Sequence, residues 1–196
     1  MKKLSRDFYA RDTLTVAREL LGKHLVRVVD GIPLTLRITE TEAYIGRMDK
    51  ACHAYGGKRT QRTETLFAPP GTVYIYLIYG MYHCLNFVTE AEGEPAAVLL
   101  RAGEPVTQED RDALALRRFG CLAEGMSAYQ RKNFLNGPGK LCKALDLTKA
   151  QNGLSLLGDT LFVLEAGETP GPIHVGKRIG IDYAQEAADF PWRFYL

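Results

Sequence analysis

The sequence predicts an α+β fold, one domain over residues 1–196 built around a curved, mainly antiparallel sheet, with a protruding β-hairpin and a few helices. Three observations carry this. Short runs rich in Val, Ile, Leu and Tyr recur along the chain, bounded by Gly, Asp, Asn or Pro. Few segments combine a helix-start signal with an apolar face behind it. No repeat, low-complexity tract or Pro/Gly-rich linker divides the chain, and 196 residues are enough for one hydrophobic core.

The first helix is predicted from a cap at Asp12 to a stop at Gly22, with Leu14, Ala17, Leu20 and Leu21 on one face. A strand over Lys23–Val29 turns at Asp30-Gly31 into a second over Leu34–Tyr44. The run Thr72–Ile78 leads through Tyr79-Gly80-Met81 into Tyr82–Thr89, a hairpin pattern with glycine at the bend. Ala97–Arg101 is a further strand. Thr107 and Asp110 form a capping-box pattern opening a helix to Phe119, closed by Gly120. The turn Asn136-Gly-Pro-Gly139 precedes a helix beginning at Lys140-Leu-Cys-Lys-Ala-Leu145. Short strands are predicted over Ser155–Leu157, Thr160–Leu164, Ile173–Val175, Arg178–Ile181 and Arg193–Tyr195.

Composition narrows the function classes. No uncharged apolar stretch is long enough to span a bilayer, and no apolar signal core follows the basic start, so the expected place is the cytoplasm. Cys52, Cys84, Cys121 and Cys142 form no C-x-x-C pair, so they are expected to be free thiols rather than zinc ligands. Cys84 and Cys142 read as small core residues. The net charge of +2 says little, but its distribution is uneven. Arg47, Lys50, Lys58, Arg59 and Arg62 share one segment, and Arg111, Arg117, Arg118, Arg131, Lys132, Lys140 and Lys143 another. Glu165, Glu168, Asp182, Glu186 and Asp189 make the C-terminal part acidic. This suits a molecule with one phosphate-facing side, and equally one with two solvated faces.

In a regular second strand, Leu34, Leu36, Ile38, Glu40, Glu42 and Tyr44 would share a face. An apolar face would then end in two carboxylates and a phenol. Either the strand leaves the core there and the carboxylates meet water, or they line a cleft where pairing and hydrogen bonds hold them. After it, His53 precedes the flexible Gly56-Gly57 and the cations Lys58, Arg59 and Arg62, a loop whose backbone can approach a ligand closely. Around Gly80, Tyr74, Tyr76, Tyr79 and Tyr82 cluster. A cross-strand aromatic ladder accounts for Tyr74 and Tyr82. It does not account for Tyr79 and Met81 at the tip, whereas insertion of the tip into another molecule does.

Glu40-Thr-Glu-Ala-Tyr-Ile-Gly46, His53 before Gly56-Gly57, Gly71-Thr-Val-Tyr-Ile-Tyr-Leu-Ile-Tyr-Gly-Met-Tyr82 with Asn86, and Val98-Leu-Leu-Arg-Ala-Gly-Glu-Pro105 resemble the alkyladenine (3-methyladenine) DNA glycosylase family. So do Asn136-Gly-Pro-Gly-Lys-Leu-Cys-Lys-Ala-Leu145 and the C-terminal Arg178-Ile-Gly-Ile and Trp-Arg-Phe-Tyr195 strings. The resemblance runs in order from about Phe8 to the C-terminus. It implies a DNA-repair enzyme that flips alkylated or deaminated purines from duplex DNA and hydrolyses the N-glycosidic bond, without strand cleavage, metal or cofactor. Glu42 would activate water, and Arg101 would help to hold it. Tyr44, His53 and Tyr76 would enclose the flipped base, and Asn86 would exclude normal guanine. Tyr79, with Met81 beside it, would intercalate, making the hairpin the DNA-inserting element. Lys58, Arg59, Thr60, Arg62 and Lys140 would meet phosphate. The implied partner is double-stranded DNA containing damaged purines, bound by a monomer. The chain lacks the long N-terminal extension of vertebrate members, which bears on partners and localisation, and a bacterial member acting in the cytoplasm at the nucleoid is expected.

Other readings use the same residues differently. The Gly137-Pro-Gly139 turn is similar to the helix-hairpin-helix element of another glycosylase superfamily, but Met126–Phe134 before it is short and polar. A metal-dependent hydrolase could use His53, His83, Glu40 and Glu42, but no H-x-x-x-H or H-E-x-x-H spacing supports one. A non-catalytic damage binder would keep Tyr79 and the cations but has no use for Glu42 with Arg101.

Overall fold

The computed structural model describes residues 1–167 and 170–196, so Glu168 of the acidic stretch lies outside the described residues. A short helix α1 (Arg6–Tyr9) precedes α2 (Thr13–Glu19). The Asp12 carboxylate accepts from the Thr15 N–H at 2.8 Å and so caps α2 as expected. The helix itself stops at Glu19, short of the expected Gly22, and Leu20 and Leu21 follow it into the core.

Next come strands β1 (His24–Val29) and β2 (Ile32–Ile45). The hairpin is β3 (Val73–Ile78) and β4 (Tyr82–Val88), followed by β5 (Ala96–Pro105). The full capping box at Thr107 and Asp110 starts α3 (Gln108–Phe119). Helix α4 (Ala128–Lys132) and helix α5 (Pro138–Ala144) follow, then β6 (Leu161–Leu164), β7 (His174–Gly176) and β8 (Arg193–Tyr195). Helix α5 begins two residues earlier than expected because Pro138 takes its first turn, where a missing N–H costs nothing.

The strands form one antiparallel sheet in the order β3-β4-β5-β2-β1-β6, with β8 paired to β2 and β7 to β8. The fold is α+β, as the sequence implies. Two expected strands are absent. Ser155–Leu157 makes a single bridge, from Ser155 to Thr72. Arg178–Ile181 is irregular, because the Arg178 side chain is drawn into a buried ion pair and the Ile179 N–H is taken by a side chain.

The regular alternation expected of β2 fails at one place, and this positions the site. Leu34, Leu36 and Ile38 are buried in the main core, and so are the Thr41 hydroxyl, which donates to Ala17 O, and Ala43. From Ile38 to Thr41 is three residues rather than two, and the pairing with β5 shifts between Ile38, Glu40 and Thr41. A bulge there turns the strand over. Beyond it Glu42 and Tyr44 face away from the main core, on the opposite side of the sheet from Leu34, Leu36 and Ile38. The partner of β2 changes at the same point, from β1 over residues 32–37 to β8 over residues 40–42.

One face of the sheet packs the main core, including Val73, Ile75, Leu85, Phe87, Val98 and Leu100 against α2, α3 and α5. Each such side chain contributes roughly 1.5–3 kcal/mol through burial. The other face carries Tyr74, Tyr76, Cys84, Asn86, Leu99 and Arg101, and this is the face that holds a cavity.

Candidate active site

The cavity is about 550 Å³, large enough for a purine nucleoside, and Tyr44, His53, Tyr76, Asn86 and Arg101 all line it. Strand alternation explains the grouping. Tyr74 and Tyr76 from β3, Cys84 and Asn86 from β4, Leu99 and Arg101 from β5, and Tyr44 from β2 are the residues left when their neighbours point into the main core.

Glu42 stands behind the wall, fully buried at 0 % exposure. Its Oε1 accepts from the Ile179 N–H at 2.8 Å, and its Oε2 accepts from the Tyr44 hydroxyl at 2.8 Å. Arg101 Nη1 lies 3.4 Å from Oε1. Burial pushes the carboxyl pKa above its ordinary value, although Arg101, the Ile179 N–H and the Tyr44 hydroxyl all pull it down. The result is a poorly solvated carboxyl group that is more basic than one in water. Burial and the neighbouring Glu42 charge push the Tyr44 phenol well above its ordinary value, so it stays protonated and donates.

Arg101 also donates from Nε to Glu40 Oε1 at 3.0 Å, and Arg193 Nη1 donates to the same oxygen at 3.1 Å. Glu40 is therefore neither free in water nor in the cavity. The water-facing reading of the two carboxylates therefore fails, and the reading in which pairing and hydrogen bonds hold them stands: Glu40 is ion-paired, and Glu42 is buried and hydrogen-bonded behind the cavity wall.

The aromatic wall is tightly interlocked. The His53 ring meets Tyr76 edge-on with centroids 4.5 Å apart, and Tyr74 and Tyr76 lie 5.5 Å apart. His53 Nδ1 lies 3.0 Å from the Tyr74 hydroxyl, and Arg62 Nη2 donates to Nε2 at 3.4 Å. A guanidinium can only donate, so Nε2 accepts and Nδ1 carries the proton. Burial, helped by the Arg62 charge, lowers the His53 pKa to about 4, so the ring is neutral. Asn86 donates both amide hydrogens, to Tyr74 O at 3.2 Å and Cys84 O at 3.1 Å, which leaves Oδ1 as the free polar end at the cavity.

At the mouth, the hairpin tip bends through Tyr79 and Gly80, with φ of 53° and 68°, and the Met81 N–H donates to Ile78 O. Positive φ at both central positions matches a type I′ turn. Glycine takes that conformation freely, whereas for tyrosine it costs roughly 1–2 kcal/mol. Tyr79 is nonetheless 77 % exposed and lines the cavity rim, and Met81 is 66 % exposed. Met81 does not line this cavity but a smaller one behind the hairpin, beside His83. Helix α5 supports the hairpin from below, since a Cβ on Gly139 would come within 2.9 Å of the Tyr82 ring.

The remaining candidate residues surround the site without lining it. Thr60 closes a turn with the Thr63 hydroxyl. Arg59 is held by Glu64 through two hydrogen bonds, and Lys140 donates to Asn133 and Asn136. Lys58 is exposed. Two further cations of the first basic segment are paired, Arg47 with Glu94 and Lys50 with Glu186. All four cysteines are free thiols, with Cys142 in the main core and Cys84 at the cavity. Among the described residues, no group of three or more His, Cys, Asp or Glu could hold a metal ion. Among the described residues, no helix is long and apolar enough to cross a membrane.

Sequence reasoning assigned no role to several residues that build the site. The Ile179 N–H grips Glu42, and Tyr74 anchors His53. Arg178 and Asp49, both fully buried, pair at 2.5 and 2.8 Å, and the Arg178 guanidinium lies 4.7 Å from the Tyr44 ring centroid and 5.0 Å from that of Trp192. Asp49 and Arg178 are 129 residues apart, so no spacing rule joins them.

Comparison with known proteins places the chain in a family. The family model described as methylpurine-DNA glycosylase matches residues 7–196. The chain is 53 % identical over 197 residues to a Clostridium perfringens protein, covering 99 % of this chain and 95 % of that one. It is 50 % identical to proteins of Desulfitobacterium hafniense, over 100 % of this chain and 96 % of the relative, and of Clostridium acetobutylicum, over 99 % and 94 %. The names of all three carry the words 3-methyladenine DNA glycosylase. The chain belongs to the methylpurine-DNA glycosylase family.

Proposed function

We propose that this chain, acting as a monomer, removes damaged purines, chiefly alkylated ones, from duplex DNA by hydrolysing the N-glycosidic bond. The observation that carries the reading is a single arrangement. A buried carboxylate with raised basicity, Glu42, lies behind an aromatic cavity large enough for a purine nucleoside, whose mouth is flanked by an exposed, strained tyrosine.

A base stacked in a duplex cannot be attacked at C1′, so the nucleotide must first rotate out. Tyr79 fills the gap, and Tyr44, His53 and Tyr76 grip the extruded base. A 3- or 7-alkylated purine is cationic, and aromatic faces attract it by roughly 0.5–2 kcal/mol. The neutral His53 does not repel it. Water then attacks C1′ and gives its proton to Glu42, while the electron pair of the glycosidic bond leaves with the base, which departs neutral. Arg101 holds the water beside Glu42. The residues lining the cavity include no lysine to form a Schiff base, which supports release of an abasic site without strand cleavage.

The test is single-turnover excision from a duplex carrying one methylated purine, with enzyme saturating. Glu42→Gln is expected to bind as wild type and excise at least ~10²-fold more slowly. Excision by Glu42→Gln at the wild-type rate, or binding without excision by wild type, would sink the proposal. The second outcome would make the chain a non-catalytic damage binder.

A further inference from the structure

The geometry points to Glu40 as a positioning residue that acts on Glu42 through Arg101. The inference rests on the proposed role of Glu42 and adds a specific electrostatic device to it.

Four charged side chains alternate in a line across three strands. Arg193 of β8 and Arg101 of β5 both donate to Glu40 Oε1 of β2, at 3.1 and 3.0 Å, and Arg101 continues to Glu42. The two contacts of Arg101 are unequal. Its Nε makes a hydrogen bond to Glu40, whereas its Nη1 stands 3.4 Å from Glu42 without one. Arg101 is thus held to the carboxylate that does no chemistry and kept just short of the one that would. The bulge in β2 creates this arrangement. It sets Glu40 where the pairing with β5 shifts and where β8 begins to pair, so one carboxylate can meet an arginine from each neighbouring strand.

The physical consequence follows from charge. A bare guanidinium beside Glu42 would be free to swing into a two-pronged pair with it, the geometry that binds a carboxylate best. That pair would depress the basicity of Glu42 and occupy the oxygen that must accept a proton. Glu40 prevents it twice, by fixing Nε and by compensating the Arg101 charge. Arg193 in turn anchors Glu40, since its Nε donates to Lys177 O. The other groups facing Glu42 leave this role unfilled. They are the Tyr44 hydroxyl on its own strand, the Tyr76 phenol from β3, the Cys84 thiol from β4, and the Ile179 N–H from the segment before β8. Arg178 is neutralised by Asp49 behind Tyr44.

The test uses the full chain and two variants, Glu40→Gln and Arg193→Gln, with Glu42→Gln to identify the Glu42 resonance. The Glu42 carboxyl is titrated directly by carbon-13 NMR on glutamate-labelled protein, and excision of 7-methylguanine from duplex is followed against pH under single turnover. Glu40→Gln is expected to lower the Glu42 midpoint by about one pH unit in both measurements, and to lower the plateau rate by about tenfold. Arg193→Gln, which removes a positive charge, is expected to move the midpoint the other way. A residue with a merely structural role would lower the rate or the melting temperature without moving either midpoint. An unchanged Glu42 midpoint by NMR in folded Glu40→Gln would overturn the inference. Loss of the functional reading is a separate result: wild type would excise nothing while the NMR shifts persist.

Discussion

Glu42 gives up stability for its place. Its folded pKa lies above the ordinary carboxylate value because burial disfavours the charged form. The folded state therefore binds a proton more tightly than the unfolded chain, and the Glu42 contribution weakens as pH rises from the ordinary carboxylate range through the raised value. Glu42→Gln removes that burden and keeps the shape, since the amide oxygen can accept from Ile179 and the amide nitrogen can donate to the Tyr44 hydroxyl. Denaturant unfolding at neutral pH is expected to show Glu42→Gln more stable by ~0.5–2 kcal/mol, while the same variant loses activity. A destabilised Glu42→Gln would mean that the Arg101 pair outweighs desolvation. His53 behaves oppositely. Its pKa falls from 6.5 to about 4 on folding, so between those values the unfolded chain binds more protons. The His53 contribution is whole above about pH 6.5 and is lost as pH falls through 4. The loss is on the order of 1–2 kcal/mol after solvent screening. In His53→Gln, the part of the acid-side decline in stability between these pH values should disappear from unfolding curves.

Among the elements, the β3–β4 hairpin and the bulge in β2 do the most to make the site. The hairpin presents Tyr79 on a backbone that tyrosine adopts at a cost, a pattern expected where function outweighs local stability. Tyr79→Gly should therefore stabilise the free protein slightly, whereas it removes the side chain proposed to insert into the duplex. Excision by Tyr79→Ala should fall most for a well-paired lesion, where unstacking is least compensated, and least for a mismatched one. Equal rates for Tyr79→Ala and wild type on a well-paired duplex would reject insertion. The bulge was not legible in the sequence. Strict alternation through Ile38 places Glu40 and Glu42 on the core face, whereas the strand turns over on the stretch where its pairing with β5 shifts and its pairing with β8 begins, contacts made between strands far apart in the chain. Arg178–Ile181 failed as a strand for a similar reason, because its backbone and side chain were claimed by Glu42 and Asp49.

For the molecule as a whole, the basic character predicted from composition resolves into a smaller set of available charges. Arg47, Lys50 and Arg59 are paired with Glu94, Glu186 and Glu64, while Lys58 and Arg62 stand on the loop leading from His53. Affinity for duplex DNA is expected to fall steeply with salt. Lys58→Ala, Arg62→Ala and Lys140→Ala should each reduce the slope of log affinity against log salt by about one, without changing lesion preference. Arg59→Ala should reduce it less, because Glu64 already compensates its charge. Titration of fluorescent duplex at several salt concentrations measures these slopes, and a salt-insensitive complex would contradict a phosphate-facing side.

The sequence by itself determined the antiparallel α+β character, the hairpin, the helix caps at Asp12 and Thr107, and the residue types from Tyr44 to Arg101 that line the cavity. These rest on local rules of alternation, capping and turn chemistry, and on motif strings whose residues are near one another in the chain. The tertiary structure alone decided which face Glu42 takes, that Glu40 links Arg101 to Arg193, that the Ile179 N–H holds the carboxylate, and that Arg178 pairs with Asp49. The reason is physical. Burying a charge is costly, and its cost is met by whichever donors the fold brings within hydrogen-bonding distance, here from strands and segments far apart along the chain.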